Sequence, residues 1–319
     1  MEVKSIVVNE FGAPEVMRLV ERQIPEVSPD QVLVKIEAIG VNPVECYIRS
    51  GKYAALPALP YTPGTDGAGY VHATGSNVQG IKTGQRVYLY GSLSGTYAEY
   101  SLCAPTQVYP LPERISYPQG AALGVPYFTA WRALFHKGKA TAGETVLVHG
   151  ASGGVGTAVV QMARAAGLTV IGSAGTDAGR DLVLAQGAHF AINHSDTAKV
   201  LELTSGNGPD LIIEMLANVN LQSDLQIIAK QGRIVVVGNR GQIEIDPRLM
   251  MSKEISVNGV TLTASSALDL KTMHSAIQAG MEMSVLNPII DKSFSLEQAP
   301  EAHTYIMEAN SAGKVVLIP

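Results

Sequence analysis

The densest chemical signal in the chain is Val146-Leu147-Val148-His149-Gly150-Ala151-Ser152-Gly153-Gly154-Val155-Gly156, followed by the helical run Thr157-Ala158-Val159-Val160-Gln161-Met162-Ala163. Read as Ala151-x-Gly153-x-x-Gly156, it is a dinucleotide fingerprint with alanine in the first position. Glycines let the backbone approach a pyrophosphate, and the N-terminus of the following helix stabilises its charge. The competing reading is a tight strand-to-helix turn without a ligand. The apolar strand before the glycines and the helix after them supply the context that favours a nucleotide.

The next strand end bears on which nucleotide. NAD-binding chains place an acid there to hold the ribose hydroxyls, whereas this chain has Ile171-Gly172-Ser173-Ala174-Gly175-Thr176. No carboxylate repels a 2′-phosphate, and hydroxyls and glycine amides are available to bind one, so NADPH is expected over NADH. Asp177 complicates this. It reads better as the cap of the next helix, with Arg180 either offsetting its charge or lying on a solvated face.

A metal is not expected. A structural or catalytic zinc takes three or four ligands rich in Cys and His, and the chain has only Cys46 and Cys103, far apart. The seven histidines, His72, His136, His149, His189, His194, His274 and His303, show no ligand-like pairing and read as surface or capping residues. Hydride transfer without a Lewis acid needs an acceptor that is already electron-poor, such as a quinone or an enone.

These residues need two kinds of scaffold. Up to about Pro112 the pattern is strand-like: Val32, Val34, Ile36 and Ala38 alternate with Leu33, Lys35 and Glu37, and Pro60 to Gly67 supplies turns. One helical fragment follows Asn42-Pro43 and stops at Gly51, with an N-cap, a proline at the first position and a glycine beyond the end. From Ser116 strands and helices alternate. A helix is expected around 119–135, kinked or interrupted by Pro126. Strands are expected at 145–149, 169–173, 190–193, 210–214 and 233–238, with helices at 154–166, 178–186, 197–203 and 221–229 between them. Continuous apolar runs such as Ile234-Val235-Val236-Val237 are those of a parallel sheet covered on both faces. Helices at 267–279 and 296–308 and a strand at 314–318 end the chain.

Composition agrees with a large buried core. The 319 residues exceed one usual domain of roughly 150, and 46% are hydrophobic while 16% are charged, well below the roughly 25% of an ordinary globular chain. A formal net charge of -5 offers no general attraction for polyanions or anionic membranes. No apolar run approaches a membrane span and the N-terminus lacks a signal-peptide core, so a reduced cytoplasmic setting is expected.

The run Asn42-Pro43-Val44-Glu45-Cys46-Tyr47-Ile48-Arg49-Ser50-Gly51 resembles the start of zinc-free quinone oxidoreductases of the medium-chain dehydrogenase superfamily. Leu59-Pro60-Tyr61-Thr62-Pro63-Gly64-Thr65-Asp66 is similar to the same family, whose zinc-dependent cousins carry His and Glu after the glycine. His149 to Gly156, Ile213 to Leu221 and Val237 to Gly241 resemble its zeta-crystallin-like members, and the similarity spans the whole chain. The resemblance implies an α/β protein: a GroES-like β-rich catalytic domain split over 1–118 and 264–319, and a Rossmann domain with a doubly wound parallel sheet at 119–263.

The family's roles carry over where residues match. Tyr47 would lie beside nicotinamide and substrate, and Ser152, Gly153, Gly154 and Val155 would hold the pyrophosphate. Gly175 and His194, with Ser173, would flank the adenosine end, and Asn220 would be a further cofactor contact. Val237, Gly238, Asn239 and Arg240 would follow a late strand into the site, and Val260, Thr261 and Leu262 would meet the nicotinamide side. Asn42 is an N-cap that could also orient a substrate carbonyl. Tyr47 is a wall more readily than a proton donor, since an unperturbed phenol has a pKa of about 10. Cys46, Lys52, Tyr88 and Tyr90 are departures that would alter substrate fit.

The implied activity is an NADPH:quinone reductase, with reduction of enals and enones as the alternative. A strand near Ser256 to Leu262 would pair across a twofold axis in a dimer or tetramer. AU-rich RNA binding is a further role the resemblance allows, although no RNP-type strand or basic cluster is visible.

Overall fold

The structure, a computed structural model, describes residues 2–308 and 312–319. Met1 and residues 309–311, assigned above to the β-rich domain, lie outside the described residues. Alternating apolar positions build the first sheets. β1 (Glu2–Val8) and β2 (Met17–Gln23) pair antiparallel as a ribbon. β3 (Val32–Gly40) is the hub of a larger sheet, pairing antiparallel with both β4 (Asp66–Thr74) and β6 (Tyr100–Cys103). β5 (Arg86–Tyr90) and β7 (Val108–Pro110) extend it beyond β4. Val32, Val34 and Ile36 face one core, whereas Leu33 packs in a second cluster with Val3 and Tyr100. β3 is therefore covered on both faces at its start, which simple alternation does not show. Two short helices serve this part, α1 (Pro43–Arg49) and α2 (Tyr117–Gly120).

The middle of the chain begins with α3 (Gly124–Trp131), which continues as a π-helical turn, Arg132–Lys137. The helix expected at 119–135 is thus broken between α2 and α3. Pro126 does not kink it: the residue lies in the first turn of α3, where no N–H is needed for an intrahelical bond.

Six βα steps follow. They are β8 (Thr145–Val148), α4 (Gly154–Ala165), β9 (Thr169–Ser173), α5 (Asp177–Ala185), β10 (Phe190–Ile192), α6 (Thr197–Leu203), β11 (Leu211–Glu214), α7 (Ala217–Ile227), β12 (Arg233–Val236), α8 (Pro247–Lys253), β13 (Ser256–Gly259) and α9 (Ala267–Glu282). The strands are all parallel in the order β10-β9-β8-β11-β12-β13. This is the doubly wound Rossmann order, whose ligand crevice lies at the carboxyl ends where the strand order reverses, here between β8 and β11.

The chain then returns to the first sheet through β14 (Ile290–Ser295), α10 (Ala299–Met307) and β15 (Lys314–Ile318), with β15 antiparallel to β3. Two compact units result, 1–125 with 287–319 and 126–286. The divisions differ from 118/119 and 263/264. α2 packs on β3 and β4, which keeps 119–125 with the first unit. α9 buries Met273, Ile277 and Met281, and Asp269 pairs with Arg132 at 3.1 Å, which keeps it with the second.

Candidate functional site

Parallel pairing brings the exits of β8, β9, β11, β12 and β13 to one edge of the sheet. After β8 the chain turns through Gly150, φ +56, and α4 starts from Gly153, with no side chain capping it. Uncapped first-turn N–H groups on a twelve-residue helix are a place for an anion. A Cβ on Gly156 would stand 2.2 Å from Gly150 O and 2.6 Å from Ala151 Cα, so only glycine lets this turn close. Ser152, Gly153, Gly154 and Val155 are partly exposed on it.

The other exits interlock. Ala217 N donates to Gly238 O at 3.0 Å, and Arg240 N donates to Asn218 Oδ1 at 2.8 Å. Asn239 Nδ2 reaches Gly241 O at 2.7 Å, and Val260 N bonds Val236 O at 3.1 Å. Asn220 donates to Glu214 Oε1 at 3.1 Å. The structure thus gathers Ser152 to Val155, Ser173, Gly175, His194, Asn220, Val237 to Arg240 and Val260 to Leu262 at one strand edge. The uncapped helix and the glycine turn fit a dinucleotide.

Asp177 is not the cap of α5. That position belongs to Thr176, which accepts from Gly179 N at 3.0 Å. Asp177 is the first helical residue and pairs with Arg180, so the charge that complicated the cofactor reading is offset.

Behind the edge lies a buried polar cluster that spacing along the chain does not show. His149 Nε2 meets Asp224 Oδ1 at 2.8 Å and Glu214 Oε2 at 3.5 Å. Ser173 Oγ lies 3.3 Å from His149 Nδ1 and 2.9 Å from His194 Nδ1. Ser173, Glu214 and Asp224 are fully buried and His149 nearly so. Burial pushes both carboxyls up to about 7 and holds His149 below its ordinary value against the pull of Glu214. The donor atoms of His149, Glu214 and Asp224 stand within 4.8 Å of one another, which corrects the reading of His149 as a surface or capping residue without a ligand-like pairing. The 2.8 Å contact between His149 Nε2 and Asp224 Oδ1 is a hydrogen-bond length.

In the first unit, Tyr47 sits partly exposed on α1. Asn42 stands at the N-cap of α1 and is 2% exposed. Its amide donates to Glu45 Oε1 at 3.3 Å and Asp66 Oδ2 at 3.0 Å, and its Oδ1 accepts from Lys314 Nζ. Both amide hydrogens are therefore spent inside the protein. Lys314 Nζ also lies 3.1 Å from Asp66 Oδ2. Glu45 Oε2 accepts from Asn42 N at 3.0 Å and from Tyr97 OH at 2.7 Å. Burial raises the Glu45 pKa, opposed by Lys314. Tyr97 OH is 3.0 Å from His303 Nε2, and burial, with Arg49 nearby, pushes His303 down to about 3. His303 is a core residue, not a surface one.

Two expected departures cannot touch a substrate. Cys46 is buried with Sγ 3.7 Å from His303 O, and Tyr88 is fully buried, stacked on Tyr109 at 5.2 Å. Glu45, Asp66, Tyr97, Lys314, Glu214 and Asp224 were not singled out from the sequence. A legible signal existed for Glu214: a charge closing the apolar run Leu211-Ile212-Ile213 must find a partner.

With this geometry in place, the likeness to known proteins is informative. Residues 28–113 match the Alcohol dehydrogenase GroES-like domain family and residues 154–279 the Zinc-binding dehydrogenase family. The chain is 49% identical to the quinone oxidoreductase of Homo sapiens, over 99% of its own length and 98% of that protein. Quinone oxidoreductase from Pseudomonas syringae pv. Tomato superposes with a TM-score of 0.90 at 29% identity, covering 99% of this chain and 100% of the other. The Escherichia coli quinone oxidoreductase solved in complex with NADPH gives 0.90 at 27%, again over 99% and 100%. A GroES-like sheet unit and a Rossmann unit on one chain define an oxidoreductase of the medium-chain dehydrogenase/reductase class. Within that class the chain belongs to the zeta-crystallin-like quinone oxidoreductases.

Proposed function

We propose that the protein is an NADPH-dependent quinone reductase that works without zinc and passes reducing equivalents to ortho- or para-quinones. The observation that carries the NADPH preference is the end of β9, where Ser173, Ala174 and Gly175 offer no carboxylate and His194 flanks the exposed Gly175. Bound NADPH supplies a hydride from its nicotinamide. The chain's own residues hold and orient it: the α4 N-terminus and Ser152 to Val155 take the pyrophosphate, Gly175 and His194 the adenosine end, with Ser173 buried behind His194 and not a contact itself, and Asn220, Val237 to Arg240 and Val260 to Leu262 the remainder. Tyr47 forms a wall for the substrate while solvent supplies the proton.

Zinc independence is supported by Lys314, whose ammonium already provides the positive charge in contact with Asn42 and Asp66. A homodimer or homotetramer would use β13, the edge strand of the parallel sheet. Steady-state NADPH oxidation over a panel of quinones and enals tests the reading, with a chelator arm for the metal. Turnover with quinones, at least about tenfold selectivity for NADPH over NADH (about 1.4 kcal/mol) and indifference to chelator are expected. Saturated product from enals without quinone turnover would replace it with the alkene reductase. In the same assay Tyr47→Phe is expected to stay within about threefold of the parent and Tyr47→Ala to raise KM about tenfold, the split of a wall as opposed to a proton donor.

A further inference from the structure

We propose that His149, Asp224 and Ser173 form a proton wire that sets the polarity of His194, so that protonation of the buried cluster decides whether this part of the cofactor edge recognises an anion or a hydroxyl. The proposal rests on the reading above that His194 meets the adenosine end of the cofactor.

The wire is continuous. Asp224 Oδ1 lies 2.8 Å from His149 Nε2, His149 Nδ1 lies 3.3 Å from Ser173 Oγ, and Ser173 Oγ lies 2.9 Å from His194 Nδ1. A hydroxyl has one proton, so it donates to one imidazole and accepts from the other. With Asp224 ionised and His149 neutral, Nε2–H donates to Asp224 and the Ser173 hydroxyl donates to His149 Nδ1. His194 must then donate from Nδ1, because the other tautomer would set two lone pairs against each other at 2.9 Å. Its Nε2 is left as an acceptor.

One additional proton, taken from solvent, reverses both bonds made by Ser173. Whether it resides on Asp224 or makes His149 an imidazolium, His149 Nδ1 becomes a donor to Ser173. The Ser173 hydroxyl turns to His194 Nδ1, and His194 carries its proton on Nε2. That nitrogen lies on the exposed residue's edge, beside Gly175, where a Cβ would stand 3.5 Å from it. An Nε2–H donor suits a phosphate monoester such as a ribose 2′-phosphate, and a bare Nε2 suits a ribose 2′-hydroxyl.

The groups facing the wire come from several elements. Glu214, at the end of β11, has Oε2 3.5 Å from His149 Nε2, and its carboxyl also faces that of Asp224, a contact that raises the Glu214 pKa further and works against the effect of burial on Asp224. Asn220 and Leu216 N occupy the other oxygen of Glu214. Partial burial disfavours charge on His194, as do His149 and, from α5, Arg180. His194 therefore responds to added protons more readily by changing tautomer than by becoming a cation. By linkage, an anion that requires the Nε2–H draws a proton into the cluster.

Two measurements test this. Calorimetric titration with NADPH at pH 8, in buffers of different ionisation enthalpy, counts the protons exchanged; a 2′-phosphate, with a pKa of about 6, is already fully ionised there. Uptake approaching one proton is expected with NADPH and essentially none with NADH, and Ser173→Ala should abolish the uptake while still binding NADPH. Equal uptake in Ser173→Ala would mean that His194 itself takes the proton and would overturn the wire, as would binding of NADPH to the parent with no uptake.

The second measurement needs no cofactor, so it separates failure of the wire from failure of the NADPH assignment. Long-range proton–nitrogen NMR of the imidazoles in the free protein reports which nitrogen of His194 is protonated. A change from Nδ1–H to Nε2–H on lowering the pH through about 7, lost in Asp224→Asn, is expected. A tautomer that is constant over pH 5.5–8.5 in the parent refutes the proposal.

Discussion

Lys314 is an ammonium with 4% of its surface exposed, held there by Asn42 Oδ1 and Asp66 Oδ2. Removing one partner of a buried pair leaves the other charge uncompensated. Lys314→Met is therefore expected to cost about 3–5 kcal/mol, and Asp66→Asn in that background to recover part of the loss. Urea unfolding of the two variants checks this, and a double variant no more stable than the single would show that Lys314 acts otherwise. In the second unit a new carboxylate tests the cofactor preference at Gly175 and not at Ser173. Ser173 is buried between two imidazoles, so a carboxylate there would also disturb Glu214 and Asp224. Gly175 is exposed beside His194. Gly175→Asp is expected to turn the about tenfold NADPH preference toward NADH, read from the ratio of kcat/KM values, and an unchanged ratio would remove Gly175 from the adenosine end.

Elements place these residues, and the β8-to-α4 turn is the most constrained of them. In Gly156→Ala the new methyl meets backbone atoms of Gly150 and Ala151, which cannot swing aside as a side chain would. The turn must open, at about 1–3 kcal/mol, and weakened NADPH binding should accompany the lowered Tm. This turn was legible because strand, glycines and helix stand in one continuous run. So was the alternation of short apolar strands and helices that forms the parallel sheet. α8 was missed although Asp246 caps it and Pro247 opens it, because its seven residues are too few to show a period. The start of α7 at Ala217, earlier than Leu221, depends on the bond from Ala217 N to Gly238 O, a contact between strand exits that no local pattern encodes. The two buried clusters were illegible for the same reason: His149 and Asp224 are joined by strand order, and Asn42 and Lys314 by the return of the chain to β3.

At the scale of the whole chain, the two units carry buried titratable groups of opposite sense. His303 in the first is held near 3, below its ordinary 6.5. Between those values the unfolded chain binds a proton that the native state refuses, so stability falls as the pH drops below 6.5. Glu214 and Asp224 in the second are raised to about 7 from 4.5 and 3.8. Native protein then holds the extra protons, and stability falls as the pH rises from about 4 to 7. At one unit per 1.36 kcal/mol, His303 alone accounts for about 2 kcal/mol between pH 6.5 and 5. Thermal unfolding from pH 5 to 8 separates the two contributions. On these values the two carboxyls outweigh the histidine between pH 5 and 6.5, so His303→Gln should steepen the fall of stability with rising pH in that range and leave the profile above pH 7 as in the parent. Asp224→Asn should gain about 1–2 kcal/mol relative to the parent at pH 8 over its value at pH 5. Parallel profiles for parent and both variants would show that neither cluster governs stability, whereas opposite changes of slope in the two variants would show that the site carrying the proton wire is held at a cost that grows with alkalinity.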